Sequence, residues 1–458
     1  MARILIIFYQ PIIDVKDAYG LICFYESFAK ELSQNSNEVK CLNTHFLKQY
    51  TENEITLLDC EEKEKFIKQI QNFNPDLIFS FNNQITKEII KITSCPICVF
   101  DADGIDFFAG KNFIKKYKDR YFMCSFYKGW EEDKYQKLGF EKHKVMFLHS
   151  ATSLKNEKLE KISNVSFIGT KFSSISKTTQ YKILEDKSIY EDLREYYKDS
   201  YASGDKFFKK YKQLFKLKKI DLYPLMDPRL YILQSVWDLG LDIYGLFWDA
   251  LPAELFNLSL CCHNNEPKYT IKHNQDVYNS SKINISISHP QCKGYNFPWR
   301  VYDIMASDGL LISSYSKLLE EYTKGFVKIP MYKSPYEARE LCKYALENPS
   351  YCKDIIAASN QFIEKYGRWE SNLKIIQDNL KINLLNISNL KKGSYMVIKF
   401  SNDLNFKTSG NKKRDIKSRY KIFGYSFLLL LAQIPIIDLL INKNNRNKII
   451  NKINKYWR

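Results

Sequence analysis

Apolar runs alternate with amphipathic segments through the first 150 residues. "RILIIF" (3–8) is a continuous apolar run, the mark of a strand buried on both faces, and helical spacing follows over Tyr19–Ser33. "EKEKFIKQIQNF" (62–73) repeats apolar residues at helical spacing. "PDLIFSF" (75–81) then reads as a strand, "TKEIIKIT" as a helix, and "CPICVFD" (95–101), "RYFMCSF" (120–126) and "HKVMFLH" (143–149) as further strands. This rhythm predicts a parallel α/β sheet covered on both faces.

"ISNVSFIGT" (162–170) restarts the pattern. A polar and aromatic stretch of about 176–219 interrupts it and predicts an inserted helical hairpin. The alternation resumes with "DPRLYILQSVWDLG" (helix), "LDIYG" and "KINISIS" (strands), a short helix near 300, "LLISS" (strand), and helices in "YEARELCKYALENP" and "CKDIIAASNQFIEKY". Two α/β domains are expected, 1–155 and 160–375, with an extension over 380–458.

The extension differs in kind. "KTSGNKKRDIKSRYK" is basic, "FGYSFLLLLAQIPIIDLLI" (423–441) is mostly apolar, and "NKNNRNKIINKINKYWR" is basic again. Gln433, Pro435 and Asp438 interrupt the apolar run and argue against a spanning helix. Two readings stand: a segment held on an anionic inner-leaflet surface by flanking Lys and Arg, or a hairpin and helix packed on the body.

Charge sharpens that division. The chain has 69 Lys+Arg against 52 Asp+Glu, but residues 407–458 hold thirteen of the basic side chains and only two acids, Asp415 and Asp438. The remaining 56 and 50 leave the body only mildly basic. Eleven cysteines form no disulfide or zinc framework: most sit in apolar runs, and the Cys95–Cys98 pair has no second pair at finger spacing. "MARILIIFYQP" reads as a strand beginning at once and not as a signal peptide, so a cytoplasmic location is expected.

The common nucleotide motifs are absent. No G-x-G-x-x-G follows a predicted strand, and "GIDFFAGKN" (104–112) puts Asn112 where a P-loop needs Ser or Thr. No G-x-S-x-G or H-E-x-x-H occurs. The stretch "HPQCKGYNFPWRVYDIMASDGLLISS" (289–314) is more informative: strand, loop, helix, Gly309, strand. Pro298 suits a first helical turn with Asn296 or Phe297 at the cap, and such an end favours phosphate. Arg300 there would contact a phosphate, and Asp303, three residues on, would accept from a ribose diol. The alternative is an exposed i,i+3 ion pair between Arg300 and Asp303.

Arg300, Tyr302, Asp303, Met305, Ala306 and Gly309, followed by "LLISS" and "ALENPSYCKDI", resemble the C-terminal half of group 1 (family 4-like) glycosyltransferases, in the CgeB-like branch. "VSFIGT", "RLYILQSVWDLGLDIYG" through Arg229, Leu233, Gly240 and Gly245, and "VYNSSKINISIS" at Tyr278, Ser281, Lys282 and Asn284 extend the match over about 160–370. The resemblance implies a GT-B fold of two facing Rossmann-like domains, with a nucleotide-diphosphate sugar donor in the C-terminal one and an acceptor at the N-terminal one. It implies no metal or other cofactor. Carried over, the donor contacts are Gly169, Arg229, Gly245, His273, Tyr278, Lys293, Gly294, Asn296, Arg300 and Asp303. The family's Glu-x7-Glu pair is broken, because Tyr295 stands eight residues before Asp303, and Asp for Glu at 303 shortens the reach by one methylene.

Acceptor activation needs a carboxylate or His at a strand end. "CPICVFDADGIDFF" supplies Asp101, Asp103 and Asp106, with Asp103 the first choice for the catalytic base and Asp101 the second; His149 is a weaker alternative. The expected function is sugar transfer to a glycan or lipid-linked acceptor in bacterial surface polysaccharide (capsule or lipooligosaccharide) synthesis. The competing readings are transfer of another nucleotide-activated group on the same scaffold, and a non-catalytic protein binding polyanions or nucleic acid through its basic tail.

Overall fold

The computed structural model describes residues 1–171, 228–386 and 394–399, apart from 12, 15–16, 18, 45–47, 51–54, 58–60, 127–131, 247, 249–255, 264–266, 290–291 and 293. The hairpin expected over 176–219, the segment 407–458 and Lys293 lie outside these residues.

In chain order the first elements are β1 (Arg3–Phe8), α1 (Cys23–Gln34), β2 (Glu38–Asn43), β3 (Lys48–Tyr50), β4 (Ile55–Leu57), α2 (Glu61–Phe73), β5 (Leu77–Phe81) and α3 (Lys87–Ile92). Then come β6 (Ile97–Phe100), α4 (Lys111–Lys116), β7 (Tyr121–Ser125), α5 (Glu132–Leu138) and β8 (Val145–Phe147). After Ala151 come β9 (Ser163–Ile168), α6 (Pro228–Val236), β10 (Leu241–Tyr244), α7 (Phe256–Leu260), α8 (Ile271–Ser280), β11 (Ser281–Ser286) and α9 (Arg300–Met305). The series ends with β12 (Leu310–Ser314), α10 (Lys317–Thr323), β13 (Met331–Tyr332), α11 (Pro335–Glu347), α12 (Pro349–Tyr366), α13 (Trp369–Leu380) and β14 (Met396–Val397).

Two compact units result. Unit 1 is Met1–Ser150 with the chain from Trp369, and unit 2 is Ala151–Arg368. The chain thus re-enters unit 1 at Trp369, within the stretch expected to belong to the second domain.

Unit 1 is a seven-stranded sheet in the order β14-β2-β1-β5-β6-β7-β8, every neighbouring pair parallel. Its strands are apolar because helices cover both faces. On one face Phe28 of α1 meets Phe79 and Phe100 edge-on and tilts against Trp369. The indole of Trp369 donates to Ser27 Oγ at 2.7 Å, which satisfies its N–H in a site only 1 % exposed. Burying side chains of this size stabilises by about 1.5–3 kcal/mol each.

Unit 2 is a five-stranded parallel sheet in the order β10-β9-β11-β12-β13. Fully buried asparagines tie its crossovers to the strands. Asn284 accepts from Ser166 Oγ at 2.6 Å and donates to the Tyr278 carbonyl at 3.1 Å. Asn279 caps the Glu157 and Asp308 amides.

Both sheets are therefore Rossmann-like, and both have a topological switch point. In unit 1 the strand order reverses between β1 and β5; in unit 2 it reverses between β9 and β11. Crossovers leave the sheet on opposite faces there, opening a crevice beyond the carboxyl ends of the two strands.

Candidate functional sites in the two units

At the unit 2 switch point β9 runs out through Ile168 into Gly169. The Gly169 amide donates to the Tyr244 carbonyl at 2.8 Å, and its carbonyl accepts the Trp248 indole N–H at 2.9 Å. Gly245 crosses so closely that a Cβ there would lie 2.1 Å from the Gly169 oxygen, at a φ of +150° that also excludes side chains. A Cβ at Gly169 would meet Arg300 Nη1 at 2.8 Å. The two glycines let two strand ends and a guanidinium share one place.

Arg300 uses that space. Nη1 donates to the Ile168 carbonyl at 2.9 Å, and the guanidinium lies 5.8 Å from the Phe167 ring centroid. Arg229, in the first turn of α6, lies 5.5 Å from the same centroid and donates through Nη1 to the Thr170 carbonyl. Arg229 is 4 % exposed and Arg300 half-buried. Among the described residues Arg300 has no carboxylate partner. Two guanidiniums thus meet at one strand end, each on a carbonyl oxygen and beside the same ring face.

Asp303 is not the partner of Arg300. It is 9 % exposed, and its Oδ1 accepts the Thr152 hydroxyl at 2.6 Å. Thr152 is itself fixed, its amide donating to the Gly367 carbonyl at 2.9 Å and its carbonyl accepting from Arg368. The exposed ion pair is therefore excluded: spacing gives a shared helix face, but β9 attracts one side chain and the Thr152 segment the other.

The helix end also differs from expectation. Trp299 is the N-cap, with helical backbone and no side-chain cap, and α9 has only six residues. Pro298 precedes it, its carbonyl accepting from the Val301 amide at 3.0 Å. So short a helix contributes little dipole, and the positive charge here is supplied by Arg300 and Arg229. In the preceding loop the carbonyls of Gly294 and Tyr295 accept from the Lys317 and Leu318 amides at the start of α10. Asn296 is buried, and its Oδ1 has no hydrogen-bond partner among the described residues.

Two expected donor contacts change character. Tyr278 is 1 % exposed and belongs to the core, because α8 turns it toward the sheet. His273 is in the first turn of α8 and not in a loop; its amide is bonded by the Thr270 cap, and its ring lies edge-on to Tyr269. His289, which local sequence does not single out, sits just past β11. Burial and the Arg229 charge push its imidazole down to about 4, so it is neutral at pH 7.

In unit 1 the acids follow β6. Asp101 is fully buried, its Oδ2 accepting the Tyr135 hydroxyl at 2.7 Å and its Oδ1 the Gly104 amide at 2.8 Å. With both oxygens bonded inside the protein, it holds the turn and is not placed to act as a base. Asp103 is exposed, and its Oδ2 accepts from Asn82 Nδ2 at 2.6 Å. Surrounding protein nevertheless raises its carboxyl above the ordinary aspartate value, against the lowering effect of Asn82. His149 is exposed, with its backbone paired to Asn372. Among the described residues no group of three His, Cys, Asp or Glu side chains is arranged to hold a metal, and no helix is long and apolar enough to cross a membrane.

Residues 229–378 match a family model described as glycosyl transferase-like. The matched segment holds Arg229, Arg300 and Asp303 and is glycosyltransferase-like in sequence. No curated protein matches the chain. Among solved structures, HepE of Anabaena in complex with UDP is similar at 7% identity over 82% of this chain and 99% of that one, with a TM-score of 0.42. Sucrose-phosphate synthase of Thermosynechococcus elongatus is similar at 9% identity over 82% and 98%, TM-score 0.45. A glycosyltransferase of Rickettsia africae is similar at 10% identity over 83% and 99%, TM-score 0.40.

Proposed function

We propose that unit 2 is the donor-binding part of a glycosyltransferase that takes a nucleotide-diphosphate sugar, with the diphosphate against Arg300 and Arg229. The observation that carries this reading is the half-buried Arg300, held by a main-chain carbonyl at the switch point with no carboxylate partner among the described residues. A cation kept there is stabilised by an anionic ligand, and two guanidiniums match a diphosphate's charge and fork geometry. The glycosyl transferase-like match over 229–378 supports the reaction class.

The chemistry follows from the charge. As the bond from the anomeric carbon to the diphosphate breaks, negative charge grows on the leaving oxygen. Cations fixed beforehand by Phe167, Ile168 and Thr170 stabilise that charge without reorganising. Neutral His289 adds a ring that can donate or accept without adding a third charge. Asp303, oriented by Thr152, is the acceptor for the ribose hydroxyls. Gly294, Asn296 and Lys293 complete the donor contacts in this reading, and the CgeB-like pattern around Arg300 is what supports assigning that branch.

The acceptor is a glycan or lipid-linked glycan of a bacterial surface polysaccharide, and residues 407–458 bring the protein to the inner leaflet. The support is the segment's composition, thirteen basic residues around an apolar run.

The test is calorimetry with UDP, GDP, ADP and dTDP, and with their glucose conjugates, on wild type and Arg300→Ala. One nucleotide should bind wild type, and the substitution should weaken it about 10- to 100-fold, the worth of a charge-assisted contact. Equal binding by both proteins, or none by folded wild type, sinks the reading.

A further inference from the structure

The first turn of the loop after β6, residues 101–104, is held from the end of the neighbouring strand by Asn82. Asn82, just past β5, has a φ of +50°, and Asn83 follows at +53°. Two successive left-handed residues turn the chain sharply at the unit 1 switch point. Asn tolerates this better than most side chains, though the conformation still costs about 1 kcal/mol per residue.

The turn brings Asn82 over the 101–104 loop. Its Oδ1 accepts from the Ala102 amide at 3.0 Å and from the Asp103 amide at 3.2 Å. Its Nδ2 donates to Asp103 Oδ2 at 2.6 Å. The Asn82 backbone amide donates to the Phe100 carbonyl at 2.9 Å, and the Asn82 carbonyl accepts from the Ala109 amide at 3.0 Å. Asp101 takes the next amide, that of Gly104. Amides 102, 103 and 104 are thus all bound by side chains, and the Asp103 carboxylate is fixed through one oxygen. Its Oδ1 accepts no hydrogen bond from the described residues, although the residue is exposed.

We propose that Asn82 is the positioning residue of the acceptor-activating carboxylate, holding Asp103 by Oδ2 so that Oδ1 is presented to a ligand hydroxyl. This rests on the glycosyltransferase reading and assigns a part of it that the donor site does not reach. In the transfer step Oδ1 takes the hydroxyl proton as the acceptor oxygen bonds to the anomeric carbon, and the electron pair of the breaking bond leaves with the nucleoside diphosphate. The clamp serves this step in two ways. It spends one carboxylate oxygen on orientation, and its N–H favours the charged form, offsetting part of the desolvation that raises Asp103. The other ionisable groups near Asp103 are Tyr25 on α1, whose hydroxyl is raised by burial and by the Asp103 charge, buried Asp101, and exposed Asp106.

The experiment uses the full chain labelled at aspartate carboxyl carbon. The Asp103 titration is followed by NMR in wild type, Asn82→Asp and Asn82→Gly, with Asp103→Asn identifying the resonance. Both Asn82 variants tolerate positive φ, and Asn82→Asp keeps the two amide acceptors while replacing the donor by a like charge. Asn82→Asp should raise the Asp103 midpoint by about one unit or more, and Asn82→Gly should raise it less. An unmoved midpoint in folded Asn82→Asp protein overturns the proposal.

A second readout is the pH dependence of hydrolysis of UDP-, GDP-, ADP- and dTDP-glucose, with water standing in for the acceptor. The acid limb should shift by the same amount in Asn82→Asp. Hydrolysis by Asp103→Asn as fast as wild type overturns Asp103 as the base and the proposal with it. Failure of the donor reading is seen separately, as absence of nucleotide binding by calorimetry, and leaves the carboxyl titration decisive for the clamp.

Discussion

Arg300 Nη1 donates to the Ile168 carbonyl at 2.9 Å, while Asp303, on the same six-residue helix, accepts from the Thr152 hydroxyl at 2.6 Å. The two side chains that sequence spacing would pair are drawn to different parts of unit 2. One has no carboxylate partner among the described residues, and the other is a buried acceptor oriented by a hydroxyl.

The Asp303 arrangement predicts ribose discrimination. Wild type should bind its nucleoside diphosphate more tightly than the 2′-deoxy form, and Asp303→Ala should bind the two alike. Thr152→Val should lower stability by about 1–3 kcal/mol, since a buried carboxylate loses the hydroxyl donor on its Oδ1. Calorimetry on the two nucleotides and a urea melt check both; unchanged discrimination in Asp303→Ala would remove Asp303 from the ribose.

Gly245→Ala should be severely destabilising. The new Cβ would fall 2.1 Å from the Gly169 oxygen at a disallowed φ, and backbone against backbone has no easy relief. A cost of about 2–4 kcal/mol corresponds to a fall of roughly 5–15 °C in Tm for a unit of this size. An unshifted thermal melt would show that the crossing of the two strand ends is looser than described.

His289 gives a pH dependence of definite sign. Its folded-state pKa of about 4 lies below the ordinary histidine value of 6.5, so the unfolded chain binds a proton that the folded chain refuses. Stability is therefore fully present above pH 6.5 and declines as pH falls from there toward 4. His289→Gln should flatten that decline while leaving stability at pH 8 little changed. Parallel pH–Tm curves for the two proteins would count against a neutral, Arg229-facing imidazole.

Truncation before residue 407 separates the basic segment from the donor site. The shortened chain should bind nucleoside diphosphate within about twofold of wild type, because no donor contact proposed for unit 2 lies beyond Asp303. Sedimentation with vesicles containing anionic lipid should fall by an order of magnitude or more, in proportion to the thirteen basic residues removed. Loss of nucleotide binding on truncation would instead favour the polyanion-binding reading.

The legible part of this protein lies where burial is two-sided. Strands β1, β5 and β12 are covered by helices on both faces, so "ILIIF" (4–8), "LIFSF" and "LLISS" stand out as unbroken runs of buried residues. Elements whose partners are mixed or polar were not visible. Strand β2 (EVKCLN) mixes exposed and buried positions and pairs on one side only with the two-residue β14, and helix α8 buries Asn279, whose partners at Lys155, Glu157 and Asp308 lie elsewhere in the chain.

By itself the sequence determined the α/β class, the loop-and-helix segment around Arg300, and the acids after β6, since each is written in local pattern and residue type. Tertiary structure alone decided which of these are free to act. Asp101 lost its candidacy to Tyr135, 34 residues away, and Tyr278 was turned into the core. Arg300 joined Arg229 across 71 residues of sequence, and Asn82 came to grip Asp103 from the next strand. The reason is physical. A side chain's ionisation and availability depend on what is packed within a few ångströms, and in a parallel sheet those neighbours come from strands separated by a crossover of sequence.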